Sequence, residues 1–402
     1  MSVVFLIVGL ILFVGLVVVH ELGHFFVARR NGVEAEEFGI GFPPRAWSRE
    51  VKGRKGKPGF LFSINWLPIG GFVKLKGEHD ADTDKGSFGA ATTGVKTKIM
   101  LAGVGMNLLA AFVLFMILAW TGMPQLVDNQ FTVKSDTKVS NSRMLVGFVE
   151  PGSPAAKAGL QERDDLISIG LPGHAPVQIA GTGNTSEQNL PNITKQFAGQ
   201  TVRVIYMRSG QTYAKIVTLL SQKVVAASQK TSTPKGYLGI SPTSLQLTRS
   251  TWSAPIVSLG LIKQFTVLTF KGLGSAVSGL SRGIAESISP SARTRHQAKA
   301  NFSSAGDNVS GPVGIFVILK DSSALGFQYV LMIIAIISLT LAIMNVLPIP
   351  ALDGGRLFLF LISRALKKPL TEELEDRVVG TGFAVLMLLI LVITIVDVKR
   401  YL

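Results

Sequence analysis

The sequence predicts a polytopic α-helical membrane protein with four transmembrane helices, a β-hairpin between the first two, and one inserted α+β domain. Three observations lead there. Charge-free apolar stretches long enough to cross a bilayer recur four times, over residues 3–27 (interrupted only by His20, Glu21 and His24), 99–120, 328–352 and 378–396. Hydrophobic residues make up 47% of the chain, yet 16% of residues are charged, which calls for an aqueous part to hold them. Between residues 132 and 248 the apolar runs become short, β-favouring and punctuated by Gly and Pro, as in a small globular domain.

The first span carries the most informative motif, His20-Glu21-Leu22-Gly23-His24. This spacing puts two imidazoles one turn apart on the same helix face, where both can bind one Zn²⁺, and leaves the Glu beside them as a general base. A soluble helix with two surface histidines fits poorly, because residues 3–19 are all apolar or Gly. The span is expected to be retained: it lacks a basic leader, is too long for a signal core and has no small-residue cleavage site after it. Together with residues up to 121 it forms the first predicted domain.

Within that domain, residues 60–76 read as strand, turn and strand around Pro68, Gly70 and Gly71, a hairpin over about 59–77. Residues 79–94 are polar and rich in Asp, Thr and Gly, and are expected to form a mobile loop in which His79 has no ligand neighbour at useful spacing. The second predicted domain is 122–250. In the third, 251–321, apolar residues return at helical spacing from Ser253 to Leu273, but Lys263 and Lys271 interrupt them, so an interfacial amphipathic helix is expected rather than a fifth span. Residues 281–310, with His296, read as a polar linker or gate. The fourth domain, 322–402, holds spans three and four.

Positive charge orients the chain. Arg29, Arg30, Arg45, Lys96, Lys98, Arg356, Arg364, Lys367, Lys368 and Arg377 flank the spans on one side, against chiefly Lys320, Lys399 and Arg400 on the other. The first side is expected to be cytoplasmic, with the large inserted segment outside. The net charge of +15 fits anionic headgroups; no nucleic-acid motif is present and no nucleic-acid partner is expected. Zero Cys excludes thiolate zinc sites and disulfides, so a metal must be held by His and carboxylate.

The third ligand is expected from another intramembrane carboxylate, since an ionisable group there is costly and marks function. Asp353 is the candidate, closing the third apolar stretch in Asn345-Val346-Leu347-Pro348-Ile349-Pro350-Ala351-Leu352-Asp353-Gly354-Gly355. Spans one and three run in the same direction, so their C-terminal ends lie at the same depth and His20, His24 and Asp353 can converge.

On these residues the chain resembles the site-2 proteases, zinc intramembrane proteases, and among them the bacterial regulator-of-sigma-E-protease type. His20 to His24, the N-x-x-P-x-P-x-L-D-G run from Asn345, and the Gly39-Ile40-Gly41-Phe42-Pro43-Pro44 turn carry the resemblance. It departs at Ala102 to Asn107, where the family commonly has Gly-Pro before the Asn. The resemblance implies that His20, His24 and Asp353 bind zinc, that Glu21 activates water, and that Asn345 helps to hold the substrate backbone, a helix–helix hydrogen bond being the other reading of Asn345. It also implies that the hairpin re-enters the membrane beside the site and offers an edge for strand addition, against the alternative of an ordinary cytoplasmic hairpin.

The 122–250 segment is similar to a PDZ domain. Residues 145–160, Asp164-Asp165 and the strand at 201–208 carry the similarity, with Asp164 where the fold usually has Gly, and Tyr237-Leu238-Gly239-Ile240 resembling the carboxylate-binding loop in a circularly permuted version. Its groove would either take a peptide C-terminus or act as a plug that limits substrate size. The implied activity is a zinc endopeptidase of the bacterial inner membrane, cleaving single-span proteins of the anti-sigma-factor type or remnant signal peptides. A PDZ adaptor without activity and a metal transporter are the alternatives from other classes.

Overall fold

The structure is a computed structural model and describes residues 2–53, 58–80, 82–179, 189–208, 210–229, 231, 233–287, 310–368 and 370–401. It has two compact units, Met1–Ile117 with Pro255–Leu402, and Leu118–Ala254.

In the first unit, α1 (Ser2–Arg30) runs unbroken because its first 18 residues are apolar or Gly apart from Ser2. It stops where Gly32 turns left-handed (φ 84°) and Val33 N–H returns to the Ala28 carbonyl. Strands β1 (Ala35–Val51) and β2 (Phe60–Leu75) follow. The hairpin expected within 59–77 does not form, since the two halves of β2 pair with β1 and not with each other. Residues 37–40 lie between 61–64 on one side and 71–74 on the other, while 45–51 pairs with 60–65. The turn signal at Pro68 and Gly70 is a real bend, with Gly70 at φ 86°, but each half has a longer partner in β1. Gly39 permits the close approach, because a Cβ there would sit 2.3 Å from the Phe72 ring.

The loop expected to be mobile is fastened. Phe88 is buried, Phe88 N–H donates to the Lys76 carbonyl, and the fully buried Lys96 ammonium pairs with Asp80 beside the rings of Phe88 and Phe360. Lys96 belongs to α2 (Thr93–Met100), which continues through the single irregular residue Leu101 into α3 (Ala102–Thr121).

The second unit holds β3 (Met123–Pro124), β4 (Lys138–Val149), α4 (Pro154–Lys157), β5 (Asp165–Gly170), β6 (Val177–Gln178), α5 (Asn189–Gln196), β7 (Thr201–Arg208), β8 (Gln211–Thr218), α6 (Gln222–Ser228) and β9 (Ile240–Arg249). The sheet order is β3-β9-β4-β5-β7-β8, with β6 beside β5. Its apolar core includes Met144, Leu166, Ile169, Val204 and Tyr206. At the position where the fold usually has Gly, Asp164 is not left-handed; the residue before it, Arg163, is (φ 70°). Asp164 is instead a buried carboxylate that accepts from Arg208 Nε and Nη2 at 2.6 and 2.7 Å and from Gln161 N–H.

Back in the first unit, α7 (Ala254–Ser287) is one continuous helix of 34 residues. It overruns the expected interfacial helix by 14 residues and takes in the start of the expected linker. The rest of that linker, 288–309 with His296, lies outside the described residues. Next come α8 (Pro312–Leu325), α9 (Phe327–Val346), α10 (Asp353–Ala365) and α11 (Glu372–Tyr401). Span three therefore ends at Val346, and Asp353 opens a new helix instead of closing the old one, because Pro348 and Pro350 break the run between them. Asp397, buried on α11, accepts from Gly311 N–H and Gly314 N–H and so caps α8 from another helix.

Among the described residues, five helices are long and apolar enough to cross a membrane, against the four spans expected, the addition being α7. Along α1 and α11 large apolar side chains such as Val3, Ile11, Val385 and Leu388 stand exposed, which suits lipid and not water.

Candidate metal centre and active site

Near its C-terminal end α1 presents His20 and His24 on one face. Their Nε2 atoms lie 3.2 Å apart, and Asp353 Oδ2 is 3.0 Å from the first and 3.2 Å from the second. A tetrahedral ion with bonds of about 2.0–2.1 Å sets its ligand atoms roughly 3.3 Å apart, so this triangle matches a small tetrahedral cation. The protons argue the same way. His24 Nδ1–H donates to the Ile99 carbonyl at 2.8 Å, which leaves Nε2 a bare lone pair. Asp353 Oδ2 is buried without a donor. Lone pairs and an anionic oxygen this close repel unless a cation lies among them, so the residues present fit a divalent metal.

Each ligand is held from behind. Asp353 sits in the first turn of α10, where the helix dipole favours negative charge. Gly354 and Gly355 let that turn pack on the preceding loop, since a Cβ at either would lie 2.4 Å from the Val346 carbonyl oxygen or 2.1 Å from that of Ile349. Ala351 takes φ 81° in that loop. Behind the histidines, α1 and α3 meet almost backbone to backbone: a Cβ on Gly23 would lie 2.5 Å from the Ala102 carbonyl oxygen, and one on Gly103 would lie 2.5 Å from His24 Nε2. The Asn107 side-chain amide is 3.2 Å from His20 Nδ1, and Ser338 Oγ–H of α9 donates to the Asn107 carbonyl. With Nε2 committed to a metal, His20 Nδ1 keeps its proton and needs an acceptor. Half a turn of the amide presents Oδ1, a buried atom otherwise without a partner.

Glu21 lines a cavity of about 130 Å³ with His24, Asp353, Val73, Glu78 and Arg356. Val73 N–H donates to its carboxylate. That N–H points away from β1, so the outer edge of 71–75 borders the site. Arg356, three residues after Asp353, donates to the Glu78 carbonyl and to Glu375, both at 3.2 Å.

The structure thus brings His20, Glu21, His24 and Asp353 together. Asn345 is half-buried in the last turn of α9 and is not among the residues lining this cavity. Tyr237, Leu238, Gly239 and Ile240 belong to the second unit, where with Leu190, Thr194 and Lys235 they border a cavity of about 210 Å³. The Leu238 side chain is also buried in that unit's apolar core.

Sequence reasoning gave no site role to Asn107, Gly103 or Arg356; Asn107 and Gly103 stood in the stretch noted only as a departure. It also left His79 alone, whereas His79 Nε2 lies 3.1 Å from Asp376 and Nδ1 lies 3.6 Å from Glu372. Carboxylates at both ring nitrogens describe a charged imidazolium. Burial pushes its pKa down, and the carboxylates of Asp376, Glu372 and Glu375 outweigh that and raise it above the ordinary value.

Comparison with known proteins agrees with this chemistry. Residues 8–389 match the model of peptidase family M50. The chain is 29% identical over 399 residues to a putative zinc metalloprotease of Clostridium acetobutylicum, covering 98% of this chain and 97% of the relative. It is 26% identical to the zinc metalloprotease RasP of Geobacillus kaustophilus, with 98% and 97% covered. With the probable protease eep of Enterococcus faecalis it shares 24% identity, with 98% of each covered. The chain belongs to peptidase family M50 and is a multi-pass membrane zinc metalloendopeptidase of the site-2 type.

Proposed function

We propose that this protease cleaves transmembrane segments of single-span membrane proteins, of the anti-sigma-factor type, or remnant signal peptides, within the bacterial inner membrane. His20, His24 and Asp353 hold the zinc, and Glu21 is the base. The observation that carries this reading is the 3.0–3.2 Å triangle formed by helices of membrane-spanning length. Zinc supplies Lewis-acid polarisation of the scissile carbonyl and lowers the pKa of water to about 7. Glu21, beside the triangle and open to the small cavity, takes the proton of the attacking water and returns it to the leaving amine. The outer edge of 71–75 aligns an unwound substrate by strand addition, and Asn345 adds a hydrogen bond to its backbone. Exposed Phe42, Trp47, Trp66 and Leu67 at the far end of the β1–β2 sheet support its re-entry into the membrane.

The geometry of the site supports a four-span reading. α1 and α9 must run the same way for Asp353 to meet the histidines, and a crossing by α7 alone would reverse α9. Lys263 and Lys271 on exposed positions of α7 agree with an interfacial placement, and the charge bias puts the inserted domain outside the cell membrane and the zinc near its cytoplasmic side. We read the second unit as a permuted PDZ domain whose 237–240 loop receives a peptide C-terminus.

Glu21→Gln tests the assignment, with purified protein and a single-span model substrate. Cleavage should fall by about 10²–10⁴-fold while zinc content stays near one per chain; undiminished cutting would overturn the base, and absent zinc in the unaltered protein would overturn the ligand set.

A further inference from the structure

In the second unit, Pro242 stands on β9 two residues after the 237–240 loop and lines the cavity beside it. Its orientation follows from the neighbouring strand. Pro242 pairs with Val146 of β4, but Val146 spends its N–H on the Asp164 carbonyl and its carbonyl on Arg163 N–H, both on the side away from β9. In an antiparallel ladder such a pair is the non-bonded kind, so the backbone groups of residue 242 face the other way, toward the cavity. Among the described residues β9 is an open edge there, because β3 covers it only at 247 and 248. At that edge Pro242 has no N–H and places a methylene where one would be.

The loop itself offers a terminal anchor. The carbonyls of Leu238 and Gly239 are taken by Ala155 N–H and Glu150 N–H. Among the described residues no acceptor meets the Leu238 or Gly239 N–H, and Lys235 is the one charged residue lining the cavity. Backbone donors beside a lone cation suit a carboxylate. An added strand that ends there runs antiparallel to β9, and each step back from its terminus advances one residue along β9. Its last residue lies opposite Ile240 and its third from last opposite Pro242, where its carbonyl finds no donor.

We infer that Pro242 makes this groove a reader of the last two residues of a chain with a free carboxylate, and stops recognition before a β-ladder can extend. This rests on reading the loop as a peptide-terminus site. Such a groove accepts any chain end with the right final side chain, whatever precedes it.

The test uses the full-length protein in detergent and N-terminally labelled peptides of two and eight residues, both ending in Ala-Val, read by fluorescence anisotropy. The two peptides should bind within about twofold of each other, and C-terminal amidation should abolish binding of both. Pro242→Val restores the N–H and should favour the longer peptide by roughly three- to tenfold. If the unaltered protein already prefers the longer peptide by that margin, Pro242 does not set the register and the inference fails. If neither peptide binds, or amidation changes nothing, the terminus-binding reading beneath it fails instead.

Discussion

At the scale of single residues, the site depends on side chains that never touch the metal. Asn107 is the clearest. It joins three helices, with its amide on His20 of α1 and its carbonyl on Ser338 of α9. Asn107→Leu should weaken zinc binding by about 10–100-fold, measured by competition with a chromogenic chelator, whereas Asn107→Asp keeps an acceptor for His20 Nδ1–H and should retain most of the affinity. Equal affinity in the Leu variant would show that the ring needs no such support. The ligands themselves were legible in the sequence because a helix fixes the relation of His20 to His24, and because Asp353 is a lone carboxylate in an apolar context. Asn107 and Gly103 were not, because what makes them matter is a crossing of two helices, and no spacing along one chain encodes which residues face each other there.

At the scale of elements, local signals were right about where the chain bends and wrong about what each segment pairs with. Gly70 does turn the backbone, yet both halves of β2 join 37–40, a partner 24 to 37 residues away that a hairpin pattern does not consider. The 79–92 loop was misjudged for a similar reason: its polarity is satisfied by Lys96 and Arg364, together with the first turn of α11, all distant in sequence or hidden by burial. His79 makes that fastening titratable. Asp376, Glu372 and Glu375 face it from α11, and Asp80 beside it is itself paired with Lys96 and Arg364. Its folded pKa lies above the unfolded value of about 6.5. The contact therefore contributes fully below that value and is lost as pH rises through the raised folded pKa. Hydrogen exchange in 79–92 should speed up beyond its intrinsic rise as pH climbs above about 6.5, and His79→Gln should abolish that excess; an unchanged profile would remove His79 from the account.

At the scale of the whole molecule, composition and four long apolar stretches announced a membrane protein with an aqueous part, and the exposed apolar faces of α1 and α11 agree. What hydropathy did not decide is α7, whose length permits a crossing that its lysines oppose. The absence of Cys makes this testable without background labelling. In intact spheroplasts, Trp252→Cys and Ser287→Cys should both react with a membrane-impermeant maleimide, while Lys52→Cys should react only after lysis. Opposite behaviour of the two ends of α7 would establish a fifth crossing.

The meeting of α1 and α3 at Gly23 and Gly103 leaves no slack between those two helices, since even a methyl group on either would collide with the other helix or its histidines. A lateral doorway for an incoming hydrophobic segment therefore cannot be made by prising that pair apart without scattering the metal's own donors. The hinge of such a door must be sought among the helices other than α1, α3 and α10, which would let the catalytic scaffold stay rigid while its lipid-facing wall moves.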